Sequence, residues 1–240
     1  MTQNFLTKWI SSILIRRGMA RAIALVHDRS AKQGAMAAID LLFEKECELI
    51  MPMQYKEELL PFSQRIANKK PKVVLEIGTA TGGTLLSWCL LADDNATLIS
   101  LDLPDGPFGG GYPAWKTPLY RSFAKPGQTI HLIRGDSHSA TIHEKVERIL
   151  GGRKVDFLFI DGDHTYEGVK QDFQSYTRLV DPQGLIAFHD IAPDRAKVPD
   201  HFVSVFWNEV RGGYSYQEFI KDREQSKWGL GLISLDGRAQ

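Results

Sequence analysis

The chain has 240 residues, 43% hydrophobic and 24% charged, which suits one globular domain with a sizeable core and excludes a disordered or fibrous polymer. Lysine plus arginine and aspartate plus glutamate both total 29, so no net field favours nucleic acid, and the expected ligand is small. No apolar stretch approaches the roughly 20 residues that span a bilayer, and Arg16, Arg17 and Arg21 interrupt the N-terminal apolar positions, which argues against a secretory signal. Cys47 and Cys89 are the only cysteines; Cys89 lies in the apolar run LLSWCLL, as a free buried thiol does in a reducing cytoplasm.

Residues 1–70 read as a helical extension. In its first segment, 5–26, Phe5, Leu6, Trp9, Ile10 and Ile13 recur at helical spacing beside Lys8, Arg16, Arg17 and Arg21. Such a face suits a membrane surface or a protein surface. Because globular helices share this periodicity, packing on the body of the protein or on a second subunit is the expectation, and a homo-oligomer through these helices its corollary. A second helix is predicted over 35–50 and a third over 55–67, with Pro52 and Pro61 breaking or bending the run.

The composition changes at Lys69-Lys70-Pro71-Lys72, where a second region, 71–240, begins. Short apolar runs then alternate with amphipathic ones. VVLEI (73–77) precedes a helix to Leu91, and TLISLD (97–102) precedes a glycine-rich loop and a helix near 115–123. TIHLIRG (129–135), VDFLFID (155–161) and GLIAFHD (184–190) precede helices at 139–150, 165–179 and about 201–211. Five β-then-α units predict a parallel sheet covered on both faces. YSYQEFI (214–220) and GLGLISL (229–235), joined by a short charged connection, add an antiparallel pair. The expected fold is therefore α/β: a doubly wound, mostly parallel seven-stranded sheet with an N-terminal helical extension.

In open parallel sheets ligands bind beyond the carboxyl ends of the strands, beside the first strand. There the sequence reads Glu76-Ile77-Gly78-Thr79-Ala80-Thr81-Gly82-Gly83. Gly78 permits a tight turn and Gly82-Gly83 a close ligand approach at the helix start, although such a loop also occurs where a helix merely packs on a strand. Asp102 ends the second strand, where a carboxylate can accept from both ribose hydroxyls, and Asp136-Ser137 follows the third. A dinucleotide enzyme would share Asp102, but its fingerprint is G-x-G-x-x-G, not G-T-A-T-G-G.

VLEIGTATGG, LISLDLP, RGDS and, most specifically, FIDGDHTYEGVKQDF followed by GLIAFHDI resemble class I S-adenosylmethionine-dependent methyltransferases. The likeness covers about 54–235 and is to the branch that includes cephalosporin hydroxylase-like and macrolide-sugar O-methyltransferases. It implies a Rossmann-like methyltransferase fold and S-adenosyl-L-methionine as cofactor. By it, Glu76, Gly78, Thr79 and Gly82 hold the methionine part and its backbone contacts, Asp102 the ribose, and Asp136 with Ser137 the adenine side; Asp161 completes the cofactor-binding set.

In the family order, strands four and five are neighbours, about 4.8 Å apart, so Asp161, His189 and Asp190 converge while His164 leans over them. Related metal-dependent enzymes carry an acid at the Asp161 position and an acid pair, or acid and amide, at the positions of His189 and Asp190; His189 departs from that pattern. The expected roles are Asp161, His189 and Asp190 as ligands of a divalent cation, Mg²⁺ by default, and His164 as the base that deprotonates an acceptor hydroxyl. Each residue alone also suits a plainer role, as helix cap, strand-end or solvent-facing side chain.

His27, His131, His138, His143 and His201 show no partner at ligand spacing. The segment PDGPFGGGYPAW (104–115) reads as a lid weighted by Phe108, Tyr112 and Trp115, or as a disordered surface loop. The expected activity is transfer of a methyl group to an oxygen of a hydroxylated small molecule, a sugar or secondary metabolite. Its competitors are a nucleotide-dependent oxidoreductase and an inactive cofactor-binding scaffold.

Overall fold

The computed structural model describes residues 2–108, 111–192 and 202–238, with side chains over 12–236 within those ranges. Seven strands form one sheet in the order β3-β2-β1-β4-β5-β7-β6. They are β1 (Val73–Ile77), β2 (Thr97–Asp102), β3 (Thr129–Arg134), β4 (Val155–Ile160), β5 (Val180–His189), β6 (Tyr214–Phe219) and β7 (Leu230–Arg238). The first five are parallel, and β7 runs antiparallel between β5 and β6. The chain order reverses between β1 and β4, which opens a crevice at their carboxyl ends.

Period-two alternation sorts the strands' apolar side chains onto two faces. Val74, Leu98, Phe157, Phe159, Leu185 and Ala187 join one core, and Val73, Leu75, Ile77, Ile99, Leu158, Ile160 and Phe188 the other. The second core is closed by α6 (Ala140–Leu150), α7 (Tyr166–Thr177) and α8 (Val203–Val210), through Val146, Leu150, Val169, Phe206 and Trp207.

The first core is closed by α4 (Gly83–Leu91), which is buried along its whole length. Its outer side is covered by α2 (Ala35–Leu41) and α3 (Lys56–Lys69). Met19, Ala22, Ile23 and Val26 of α1 (Thr2–Gln33) are buried in this same core, so that stretch of the first helix packs on protein. The side chains of Phe5, Leu6, Trp9 and Ile10, on which the amphipathic reading rests, lie outside the described residues, as does His201. No helix among the described residues is long and apolar enough to cross a membrane.

Three elements differ from expectation. The helix predicted over 35–50 stops at Leu41 and resumes as a 3-10 turn, Lys45–Ile50. The segment near 115–123 holds only a 3-10 turn and the five-residue α5 (Thr117–Arg121). β5 begins at Val180, before its apolar run, because Val155 pairs with Val180 ahead of a register shift. Pro61 lies inside α3 without ending it.

Candidate cofactor and acceptor site

The ends of β1, β2 and β4, with the loop after β3, surround a cavity whose wall includes Gly78, Asp102, Asp136, Ser137, His138 and Asp161. Strand pairing runs into these loops: Gly78 N–H donates to Leu101 O and Asp161 N–H to Ile77 O, each at 2.8 Å. Gly78 has φ +93, and a Cβ there would stand 1.8 Å from the Asp161 carbonyl oxygen. Only glycine allows that approach, so the loop after β1 and the loop after β4 share one wall.

Of the eight residues expected at the cofactor, Gly78, Asp102, Asp136, Ser137 and Asp161 line this cavity. Glu76, Thr79 and Gly82 stand behind it. The Glu76 carboxyl is fully buried and accepts from Trp88 Nε1 and Ser100 Oγ, both at 2.9 Å. Burial drives its pKa up to about 8 against those hydrogen bonds. Ser100 Oγ also pairs with Thr79 Oγ1, which fastens the turn after β1 to β2. Gly82, at φ +87, faces the Tyr120 and Phe123 rings. Tyr120 of α5 in turn donates its hydroxyl to Ala80 O at 2.8 Å.

Asp102 is 8% exposed. Its Oδ2 accepts from Tyr112 N–H at 2.8 Å and its Oδ1 from Thr79 N–H at 3.4 Å. Desolvation raises its pKa, opposed by these amides and by the charge of Arg134. Within the segment 104–115, Gly109 and Gly110 lie outside the described residues. The remainder folds back onto the strand ends: Tyr112 is buried against Tyr120, and Phe108 stacks on His164 with centroids 4.8 Å apart.

The acid and imidazole groups meet as the order of β4 and β5 implies. Asp161 Oδ1 lies 2.9 Å from His189 Nδ1 and 3.5 Å from His164 Nε2, while His164 Nδ1 lies 3.3 Å from Asp190 Oδ2. Asp190 turns the chain at φ +59, and its Oδ1 accepts from Trp228 N–H at 3.1 Å. Burial would raise the Asp161 pKa, but the charges of His189 and His164 and their hydrogen bonds hold it down to about 2. Desolvation would lower both imidazoles, yet the neighbouring carboxylates win, taking His189 up to about 9 and raising His164 as well.

Ligand atoms of Asp161, His164 and Asp190 all lie within 4.8 Å of one another. Two carboxylates and an imidazole are a fitting donor set for a divalent cation, whose charge would replace that of the imidazole protons. His164, expected as a base, thus stands inside the candidate ligand group, and His189, expected as a ligand, hydrogen-bonds Asp161.

Sequence reasoning missed three neighbours. Gln54, 4% exposed, places Nε2 3.5 Å from Asp161 Oδ2. Glu58, fully buried on α3, accepts from Lys221 N–H at 3.1 Å, Gln225 Nε2 at 2.6 Å and Gly229 N–H at 3.0 Å, holding the segment that carries Trp228. His138 lies 3.2 Å from Asp172 Oδ1. Gln54 and Glu58 precede the strands and carry no motif; the one signal for Asp172 is its place between Val169 and Tyr176 on the buried face of α7.

Residues 75–191 match the family model described as a methyltransferase domain. An uncharacterized protein of Acanthamoeba polyphaga mimivirus is 36% identical over 116 residues, 48% of this chain and 50% of that one. An uncharacterized protein of Sinorhizobium fredii is 27% identical over 146 residues, 59% of this chain and 15% of that one. The chain thus spans half or less of the length of these curated relatives.

Among solved structures, the fold is similar to that of the O-methyltransferase TomG from Streptomyces achromogenes, involved in tomaymycin synthesis and solved with S-adenosylmethionine. The TM-score is 0.54 at 13% identity, covering 88% of this chain and 96% of that one. An O-methyltransferase from Bacillus cereus, solved with S-adenosylhomocysteine, gives a TM-score of 0.54 at 14% identity over 88% and 97% of the two chains. At these identities the likeness is one of fold.

Proposed function

We propose that the chain is an S-adenosylmethionine-dependent O-methyltransferase acting on a hydroxyl of a small acceptor, with a divalent cation at the acceptor end. The observation that carries this reading is the wall shared by Gly78 and Asp161, which sets the crevice at the strand ends beside a cluster of two carboxylates and two imidazoles. The methyltransferase-domain match over 75–191 supports it.

In the proposed reaction the acceptor oxygen forms a bond to the methyl carbon as the carbon–sulfur bond breaks, and the electron pair stays with sulfur. This direct displacement needs aligned reactants and a deprotonated oxygen. Asp102 holds the ribose, and the amides around Gly78 hold the methionine end. Glu76, tied to Trp88 and Ser100, keeps the turn rigid from behind. Asp161 and Asp190 would hold the cation, Mg²⁺ by the oxygen-rich donor set, and His189 orients Asp161. When bound, the cation supplies charge that lowers the acceptor hydroxyl pKa. His164 takes the proton, and Phe108 stacked on its ring keeps water from that side.

A second reading makes His164 a ligand, favoured by its place within 4.8 Å of the two carboxylate oxygens. Metal affinity of His164→Ala separates the two: retained affinity with lost turnover marks a base, joint loss a ligand. The parent proposal is tested by calorimetry with S-adenosylhomocysteine and with NAD, followed by a screen of hydroxylated sugars and secondary metabolites for methyl transfer. Binding of NAD instead of S-adenosylhomocysteine would favour an oxidoreductase. Cofactor binding without turnover on any acceptor would favour a scaffold.

A further inference from the structure

Asp172 lies in α7 with no exposed surface, and neither of its carboxylate oxygens has a hydrogen bond of good geometry. A carboxylate so placed has lost its water and requires a countercharge. That charge is His138, whose Nε2 stands 3.2 Å from Asp172 Oδ1 and bonds Gly168 O at 3.2 Å, so the imidazole lies against the carboxylate while its ring nitrogen is held by the helix backbone.

His138 belongs to the loop after β3 and lines the cavity beside Asp136 and Ser137. Two more bonds fix the same loop: His138 N–H donates to Asp136 Oδ1 at 2.9 Å, and Tyr176, one turn after Asp172, donates its hydroxyl to Ser137 O at 2.8 Å. On its other side, Asp172 stands behind Gly162, where an added Cβ would lie 3.5 Å from Oδ2. The carboxylate therefore backs two walls of the cavity.

We infer that the buried Asp172 and the partly exposed His138 form an ion pair that positions the loop 135–138 for the adenine end of the cofactor, making cofactor affinity depend on the His138 proton. This rests on the cofactor reading proposed above. Both are positioning residues, since they act through Asp136 and Ser137. An aspartate inside a helix is a poor helix former, and a mere helix position would be served better by almost any apolar side chain.

The groups facing the His138 ring are Asp172 and the Gly168 carbonyl from α7, Asp136 from its own loop, Asp163 from the turn after β4, and His143 from α6. The Asp172 carboxylate 3.2 Å away outweighs desolvation and takes the His138 pKa up to about 9. A pKa raised on folding means that the stability the pair contributes is fully present below about pH 6.5, and that the pair itself is lost as pH rises through about 9.

The test uses the full chain, labelled at histidine for NMR, and calorimetric titration with S-adenosylhomocysteine from pH 7 to 10. In the wild type, His138 should titrate near pH 9 and affinity should fall across the same range. Asp172→Asn should return His138 toward its ordinary range, weaken binding about tenfold at pH 7.5 and remove that part of the pH dependence. His138→Gln should weaken binding comparably and give the same flattened curve, which guards against a folding defect in either variant.

If both variants lose thermal stability yet bind with wild-type affinity and pH profile, the pair is structural and the positioning inference is overturned. If the wild type binds no S-adenosylhomocysteine at any pH while His138 still titrates near 9, the cofactor reading itself falls.

Discussion

The main-chain N–H of Tyr112 donates to Asp102 Oδ2 at 2.8 Å, so the acid that ends β2 is already bound by the loop that follows it. Arg134 reinforces this closure: its Nε donates to Tyr112 O at 3.2 Å, and its guanidinium lies over the Tyr112 ring. In the proposed cofactor site, a ribose at Asp102 would share the carboxylate with this amide or displace it, which would couple cofactor entry to the backbone at Tyr112.

Asp102→Ala should weaken S-adenosylhomocysteine binding ten- to a hundredfold, the effect of losing about 1.5–3 kcal/mol of hydrogen bonds to a charged acceptor. It should also release the Tyr112 amide, seen as faster hydrogen exchange there. Unchanged affinity by calorimetry would remove Asp102 from the cofactor site.

Gly78→Ala should be severely destabilising. The methyl group would meet the Asp161 carbonyl oxygen, a backbone atom, at a position that is also left-handed. A melting temperature within a few degrees of wild type, with cofactor binding intact, would mean that the two loops separate easily and do not form a shared wall.

At the acceptor end, Asp161→Ala should abolish turnover and weaken Mn²⁺ binding measured by electron paramagnetic resonance, with partial rescue by excess metal. His164→Ala should lower turnover by about 10²–10⁴ and recover in part at high pH, where the acceptor ionises unaided. Full activity of metal-free enzyme in the presence of chelator would sink the cation proposal.

Glu76 makes stability pH-dependent in a definite direction. Its folded pKa, about 8, lies above the ordinary value of 4.5, so the folded state holds the proton more tightly. That contribution is complete below about 4.5 and is lost as pH rises through about 8. Glu76→Gln, which keeps an acceptor for Trp88 Nε1, should unfold with less loss of stability between pH 5 and 8 than the wild type. Parallel curves for the two proteins over that range would show that Glu76 does not titrate there.

What the sequence disclosed depended on periodicity. Runs such as VVLEI and VDFLFI carry their strand character in consecutive β-branched and aromatic residues, and the acids at their ends were placed by counting. The convergence of Asp161, His164, His189 and Asp190 came instead from the resemblance, whose family order makes strands four and five neighbours, as the structure has them. Glu76 was legible as a residue before the glycine turn but not as one facing away from the cavity, because its direction depends on the pairing with Trp88 and Ser100. His138 and Asp172 are 34 positions apart on different elements, and Gln54 and Glu58 reach the site from the helical extension; no local pattern records such meetings.

The hydrogen bonds made by Glu58 join residues 163, 167 and 171 positions apart. Contacts of such separation close late, after the loops between them have been ordered. During synthesis, Asp161 and Asp190 emerge before Trp228, whose amide steadies Asp190. A product of premature termination before the last hairpin would therefore lack both the Trp228 amide that steadies Asp190 and the three partners of Glu58.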